Sequence, residues 1–140
     1  MNQIKPYPVW LGHAGDARNF RSVLDAGIQA LVDLSREEPP VDPPRELIYC
    51  RFPLLDGVGN DESLLNLAIS TLASLIRVRI PTLVCCDLGL SRGPAVAAAA
   101  LAKAHEESPE ACLQRVMEHH HGDVSPGLWN EITHVLRKER

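Results

Sequence analysis

Residues 81–94 read PTLVCCDLGLSRGP and run directly into an alanine-rich tract ending at Ala102. Residues 82–85 are a short apolar run of the kind a fully buried strand carries. Gly93-Pro94 opens a helix with proline near its first position, where the missing N–H is no loss. Strand, tight loop, helix is therefore the predicted order. The loop lies against the helix N-terminus, where free backbone N–H groups and the positive end of the helix dipole favour an anion. Arg92 adds a planar fork of donors matched to phosphate oxygens. Cys86 enters the same field, which favours the thiolate, the nucleophilic form of its side chain.

The 140 residues, 45% hydrophobic and 23% charged, suffice for one core without disulfide or metal staples, so the expectation is a single domain over 1–140. No apolar run approaches the roughly 20 residues that span a bilayer, which argues against a membrane protein. The first residues, MNQIKP, lack a basic segment followed by an apolar one. No secretory signal is expected, and a cytoplasmic location follows by default. The cysteines at 50, 85, 86 and 112 show no framework spacing and read as free thiols. With a net charge of −4 and basic residues clustered only at the end of the chain, nucleic acid is not the expected ligand. Any phosphate site must be local.

Along the chain, residues 8–11 read as an edge strand ending at Gly12. Gly15 or Asp16 then caps a helix with Phe20, Val23 and Leu24 on one face, and Gly27 stops it. Residues 28–34 form a buried strand whose arrival straight after a helix indicates a parallel crossover. Residues 35–44 hold four of the eleven prolines and read as a surface loop. A strand over 47–52 and a glycine-punctuated loop over 53–60 follow. Asn60 or Asp61 caps a long helix with Leu65, Ile69, Leu72 and Ile76 as its buried stripe. Ser108-Pro109 starts a helix with Leu113, Val116 and Met117 inward. Ser125-Pro126 starts the last one, in which Leu128, Ile132, Val135 and Leu136 repeat at helical spacing and Arg137, Lys138 and Arg140 complement the dipole. The fold class is α/β: a mixed, mostly parallel sheet of four to five strands flanked by helices.

Cys86, five residues and Arg92, with Gly89 and Ser91 between them, resemble the phosphate-binding loop of the cysteine-dependent protein tyrosine phosphatases, most closely the small dual-specificity branch. Supporting matches in the same order are Trp10-Leu-Gly12, Gly27-Ile28, Asp56 after the third strand and Asp123-Val-Ser-Pro126. The resemblance implies that Cys86 is the nucleophile and Arg92 the phosphate clamp. The cradle is Asp87, Leu88, Gly89, Leu90, Ser91 and Arg92. It also implies a general acid on the loop after the third strand, with no metal and no organic cofactor. Asp56, flanked by Gly57 and Gly59, is the chosen acid and Asp61, which a helix cap would employ, the rival. The substrate that the resemblance implies is a phosphorylated protein or a small phosphomonoester. No feature specifies an oligomeric state.

Two departures point to weakened chemistry. Cys85 stands where the family has histidine, and Gly93 where it has serine or threonine. Asp87 places a negative charge beside the site, and no basic residue other than Arg92 enters the loop, which disfavours heavily charged substrates. The expected activity is a slow phosphatase. A pseudophosphatase that binds phosphate with little turnover and a rhodanese-like sulfur carrier are the alternatives. Cys85 beside Cys86 raises an oxidative switch, opposed by the opposite facing of adjacent strand residues. His119 to His121 are expected at a solvated helix end, without metal-ligand spacing.

Overall fold

In a computed structural model, residues 1–138 are described, so the dipole role expected of Arg140 lies outside the described residues. The strands are β1 (Asn2–Gln3), β2 (Val9–His13), β3 (Ala30–Asp33), β4 (Ile48–Arg51) and β5 (Thr82–Cys86). They lie in the order β1-β2-β5-β3-β4, and every neighbouring pair is parallel except β1 with β2. The apolar run at 82–84 thus occupies the centre of the sheet, as a strand buried on both faces should.

Residues 8–11 were expected at an edge. β2 is instead interior, because Asn2 and Gln3 pair antiparallel with Leu11 and Trp10 and take the edge themselves. Two polar residues carry no strand pattern, so β1 was invisible.

Six helices complete the fold: α1 (Ala14–Arg18), α2 (Phe20–Asp25), α3 (Glu62–Arg77), α4 (Arg92–His105), α5 (Pro109–His119) and α6 (Pro126–Lys138). The single helix expected after Gly12 is two. His13 caps α1 and exchanges hydrogen bonds with Asp16 in a capping box, so Asp16 sits at the third helical position rather than at the cap. Asn19 then leaves helical geometry and its side chain accepts from the Ser22 N–H to start α2. Leu24 is exposed at 43%, whereas Val23 is buried. Gly27 stops this segment with φ 79, a conformation that a Cβ would oppose. In α5 the buried stripe is Cys112 and Val116; Leu113 and Met117 are half-buried.

Strand alternation divides the core. Val84 and Cys86 face the layer made by α3, α4, α5 and α6, while Leu31 and Leu83 face a smaller cluster with Val23, Ile28 and Leu47. Within α4, residues 92–102 are all buried; their small side chains let it touch α3, α5, α6 and the sheet. Among the described residues no helix is long and apolar enough to cross a membrane.

The four parallel strands end, on the same edge of the sheet, at His13, Asp33, Arg51 and Cys86. The loops after β3, β4 and β5 therefore leave side by side, in the position where open α/β sheets bind ligands.

Candidate active site

Cys86 is the last residue of β5, 2% exposed, and the five residues that follow turn into the first turn of α4. Every carbonyl that braces this turn is held from outside. Asp87 O accepts from Ala14 N–H at 3.2 Å and Leu90 O from Asp123 N–H at 2.8 Å. Gly89 O lies 2.6 Å from His120 Nε2, and because a carbonyl can only accept, the imidazole donates there. Its Nδ1 then accepts from the Asn2 amide at 3.0 Å. In a trans peptide the N–H points opposite its neighbouring C=O. Leu88, Leu90 and Ser91 N–H are accordingly turned away from the braces, and these three residues line the cleft.

Gly89, with φ 74, presses so closely on β2 that a Cβ would stand 2.8 Å from Gly12 O. It backs the loop, and its side is not part of the cleft lining. Ser91 occupies the N-cap of α4 without capping it; its Oγ accepts from Ser125 N–H at 2.9 Å instead. The segment between α5 and α6 thus clasps the loop through His120, Asp123 and Ser125. The expectation that residues 119–121 form a solvated helix end fails at His120, which is buried. Three successive histidines carry no face signal, so the sequence gives no sign of which one turns inward.

The cleft, ≈ 340 Å³, is lined by Cys86, Arg92, Asp56, Asp87, Leu88, Leu90 and Ser91, with Glu37 and Asp123. Arg92 is 5% exposed. Its Nη1 donates to Glu37 Oε2 at 2.8 Å, Oε1 at 3.1 Å and Leu54 O at 2.9 Å. Its Nε is the one buried side-chain nitrogen or oxygen that lacks a protein partner among the described residues. One end of the guanidinium is pinned, and an unsatisfied buried donor remains on another edge, the situation a bound oxyanion would relieve.

Glu37 escaped the sequence reading because it lies in the proline-rich loop assigned to the surface. Its placement is built from β3 and β4. Asp33 accepts from Ser35 N–H at 3.0 Å and from the Tyr49 hydroxyl at 2.8 Å. Arg51 donates to Ser35 O and, at 2.6 Å, to Glu38 O. Burial works to raise the Glu37 carboxyl, but hydrogen bonds from Arg92 and from backbone N–H groups, together with the Arg92 charge, outweigh it and hold the group below its usual value. A glutamate four residues past a strand end, in a proline-rich loop, carries no pattern that could have been read in advance.

Of the two aspartates weighed as the acid, Asp61 is the cap of α3, accepting from Ser63 N–H at 2.7 Å and Leu64 N–H at 3.4 Å. Asp56 lines the cleft. Asn60, the other residue expected as a cap, instead bonds within its own loop. Asp87 faces the cleft rather than bulk solvent, and a shared hydrogen bond with Glu38, aided by burial, raises its carboxyl. Cys85 points to the opposite face of β5, where burial pushes its thiol far up and keeps it protonated. No group of three or more His, Cys, Asp or Glu among the described residues could hold a metal ion.

No family model matches this sequence, and no curated protein does. Solved structures do match. Human DUSP28 superposes with a TM-score of 0.86 over 100% of both chains at 23% identity. A mouse putative dual specificity phosphatase complexed with zinc tungstate gives 0.82 over 98% of this chain and 86% of its own, also at 23% identity. The human tyrosine phosphatase-like serine/threonine/tyrosine-interacting protein gives 0.83 over 99% and 97% at 16% identity. The chain therefore has the fold of the small dual-specificity phosphatases, within the protein tyrosine phosphatase type, as the resemblance of its central loop implies.

Proposed function

We propose that this protein is a phosphomonoester hydrolase of dual-specificity type that works through a cysteinyl-phosphate at Cys86, slowly, on a phosphorylated protein or small phosphomonoester, in the cytoplasm. The observation that carries the reading is the convergence of Cys86, Asp56 and Arg92 on one cleft at the carboxyl edge of the sheet, with Arg92 Nε left without a protein partner. The zinc tungstate complex of the mouse protein, an oxyanion bound to the same fold, supports it.

Cys86 Sγ attacks phosphorus, forming S–P as the bond to the leaving oxygen breaks, and Asp56 gives that oxygen its proton. Arg92 and the N–H groups from residues 87–92 hold the equatorial oxygens, whose charge changes during transfer. Water then attacks phosphorus, Asp56 takes its proton, and the thiolate leaves with release of phosphate.

One observation favours a second reading, a phosphate-binding module with little turnover. A Cβ built on Gly93 would lie 3.8 Å from Cys86 Sγ, so a hydroxyl residue at this position could reach the sulfur and glycine cannot. Turnover of an aryl phosphate by the parent, C86S, D56N and D61N separates these readings. The proposal expects loss in C86S and D56N and near-parental rates in D61N. Activity retained by C86S would sink it. A stoichiometric phosphoenzyme that never turns over would favour the module, and turnover of thiosulfate the sulfur carrier.

A further inference from the structure

The loop between β4 and α3 contains Asp56 between two glycines of positive φ, Gly57 at 148 and Gly59 at 100. Glycines at such conformations leave a free loop many alternatives, and fixing one of them costs backbone entropy. The loop is held all the same, by one side chain of its own and one from the far end of the chain. Asn60 Oδ1 accepts from Leu55 N–H at 2.7 Å, and its Nδ2 reaches Leu55 O at 3.1 Å and Gly57 O at 3.2 Å. The two residues that flank Asp56 are thus tied to one amide.

That amide is tied in turn to α6. Glu131 Oε1 accepts from Asn60 Nδ2 at 3.1 Å and Asn60 N–H at 3.2 Å, while Oε2 accepts from Gly59 N–H at 2.7 Å. One turn earlier on the same helix face, Gly127 leaves room for Val58, whose Cγ1 would stand 2.7 Å from a Cβ there. Gly127 and Glu131 together form a saddle that receives residues 58–60. Burial works to raise the Glu131 carboxyl, but the Gly59 and Asn60 bonds prevail and keep it low, so the charged acceptor persists.

We propose that Glu131 is a positioning residue for the general acid, acting through Asn60 to fix the loop that presents Asp56 to the leaving oxygen. The proposal rests on the reading of Asp56 as that acid. A misplaced acid slows the step that needs its proton, and displacements near 1 Å can cost about 10²-fold. An activated leaving group needs little protonation, so the penalty must depend on the leaving group.

The test compares kcat/KM, which reports phosphoryl transfer to Cys86 and not the later hydrolysis, for the parent, E131Q, N60A, D56N and E131Q/D56N on an activated nitrophenyl phosphate and on an alkyl phosphate of poor leaving group. The rate of Cys86 alkylation by iodoacetate reports the phosphate loop. E131Q keeps the shape of the side chain and removes one of its two acceptor oxygens; N60A provides a second break in the same relay. Expected is a fall of about tenfold on the alkyl phosphate and less than about twofold on the activated one, with parental alkylation. E131Q/D56N should be no slower than D56N. Equal losses on both substrates, or an E131Q loss that multiplies with that of D56N, would overturn the clamp. A selective loss in D56N with parental behaviour in both E131Q and N60A overturns it while leaving the phosphatase reading intact. A D56N protein with parental leaving-group dependence removes the acid assignment and the clamp together.

Discussion

Gly93→Ser should accelerate the second half of the proposed reaction. The position lies in the first turn of α4, and a Cβ there meets Leu11 Cδ2 at 3.5 Å, Cys86 Sγ at 3.8 Å and Val84 O at 3.9 Å, all ordinary contacts. Serine therefore fits without displacing backbone, and it is a better helix residue than glycine by a few tenths of a kcal/mol. From that Cβ a hydroxyl can donate to the sulfur that departs as thiolate when the phosphoenzyme is hydrolysed. A hydrogen bond to a charged group contributes about 1.5–3 kcal/mol. Some of this is spent ordering the hydroxyl, leaving about 1.4 kcal/mol, or tenfold in rate. Rapid-quench kinetics with an aryl phosphate measure both halves. The burst of phenol should keep its rate, the steady state should rise about tenfold, and less phosphoenzyme should accumulate. A G93S protein with an unchanged steady state and intact burst would refute the argument that glycine limits turnover.

E37Q keeps an acceptor for Arg92 but removes a charge beside the oxyanion. Because the Glu37 side chain is 52% exposed, the water-screened Coulomb value of about 1 kcal/mol applies, and calorimetry should find inorganic phosphate bound about fivefold tighter. Asp87, raised above 3.8 by its bond to Glu38, takes on charge later than an ordinary aspartate as pH rises. Sulfate, whose own charge is constant there, should bind progressively more weakly as pH climbs through that raised value, and D87N should flatten the profile. Removing the α3 cap with D61A should cost about 1 kcal/mol, seen as a fall of about 2–8 °C in Tm. The rate on aryl phosphate should stay parental below the transition.

The central strand, its loop and α4 were legible because burial, glycine and proline act locally there. The long stripes of α3 and α6 were legible from period alone. β1 was hidden because its two residues take strand geometry from Leu11 and Trp10 rather than from any pattern of their own. Asn19 divided a predicted helix through side-chain capping that a hydrophobic pattern does not report. In the site, Cys86, Arg92 and Asp56 were named from sequence and share the cleft. Glu37 and His120 were not, because each acts through a contact 55 or 31 residues away in the chain. Asn60 and Asp61 looked interchangeable as caps; only the fold assigns one to the helix and the other to the loop.

The bond from Arg92 Nη1 to Leu54 O has a mechanical meaning. Leu54 stands two positions before Asp56, at the root of the acid loop. The guanidinium is therefore a strut between α4 and that root. If the loop swings outward from Leu54, the strut loses an anchor at the moment the acid withdraws, and grip on the phosphate slackens with it. With Asp56 as the proposed proton donor, product release and retreat of that donor would become a single movement, coupled through one hydrogen bond.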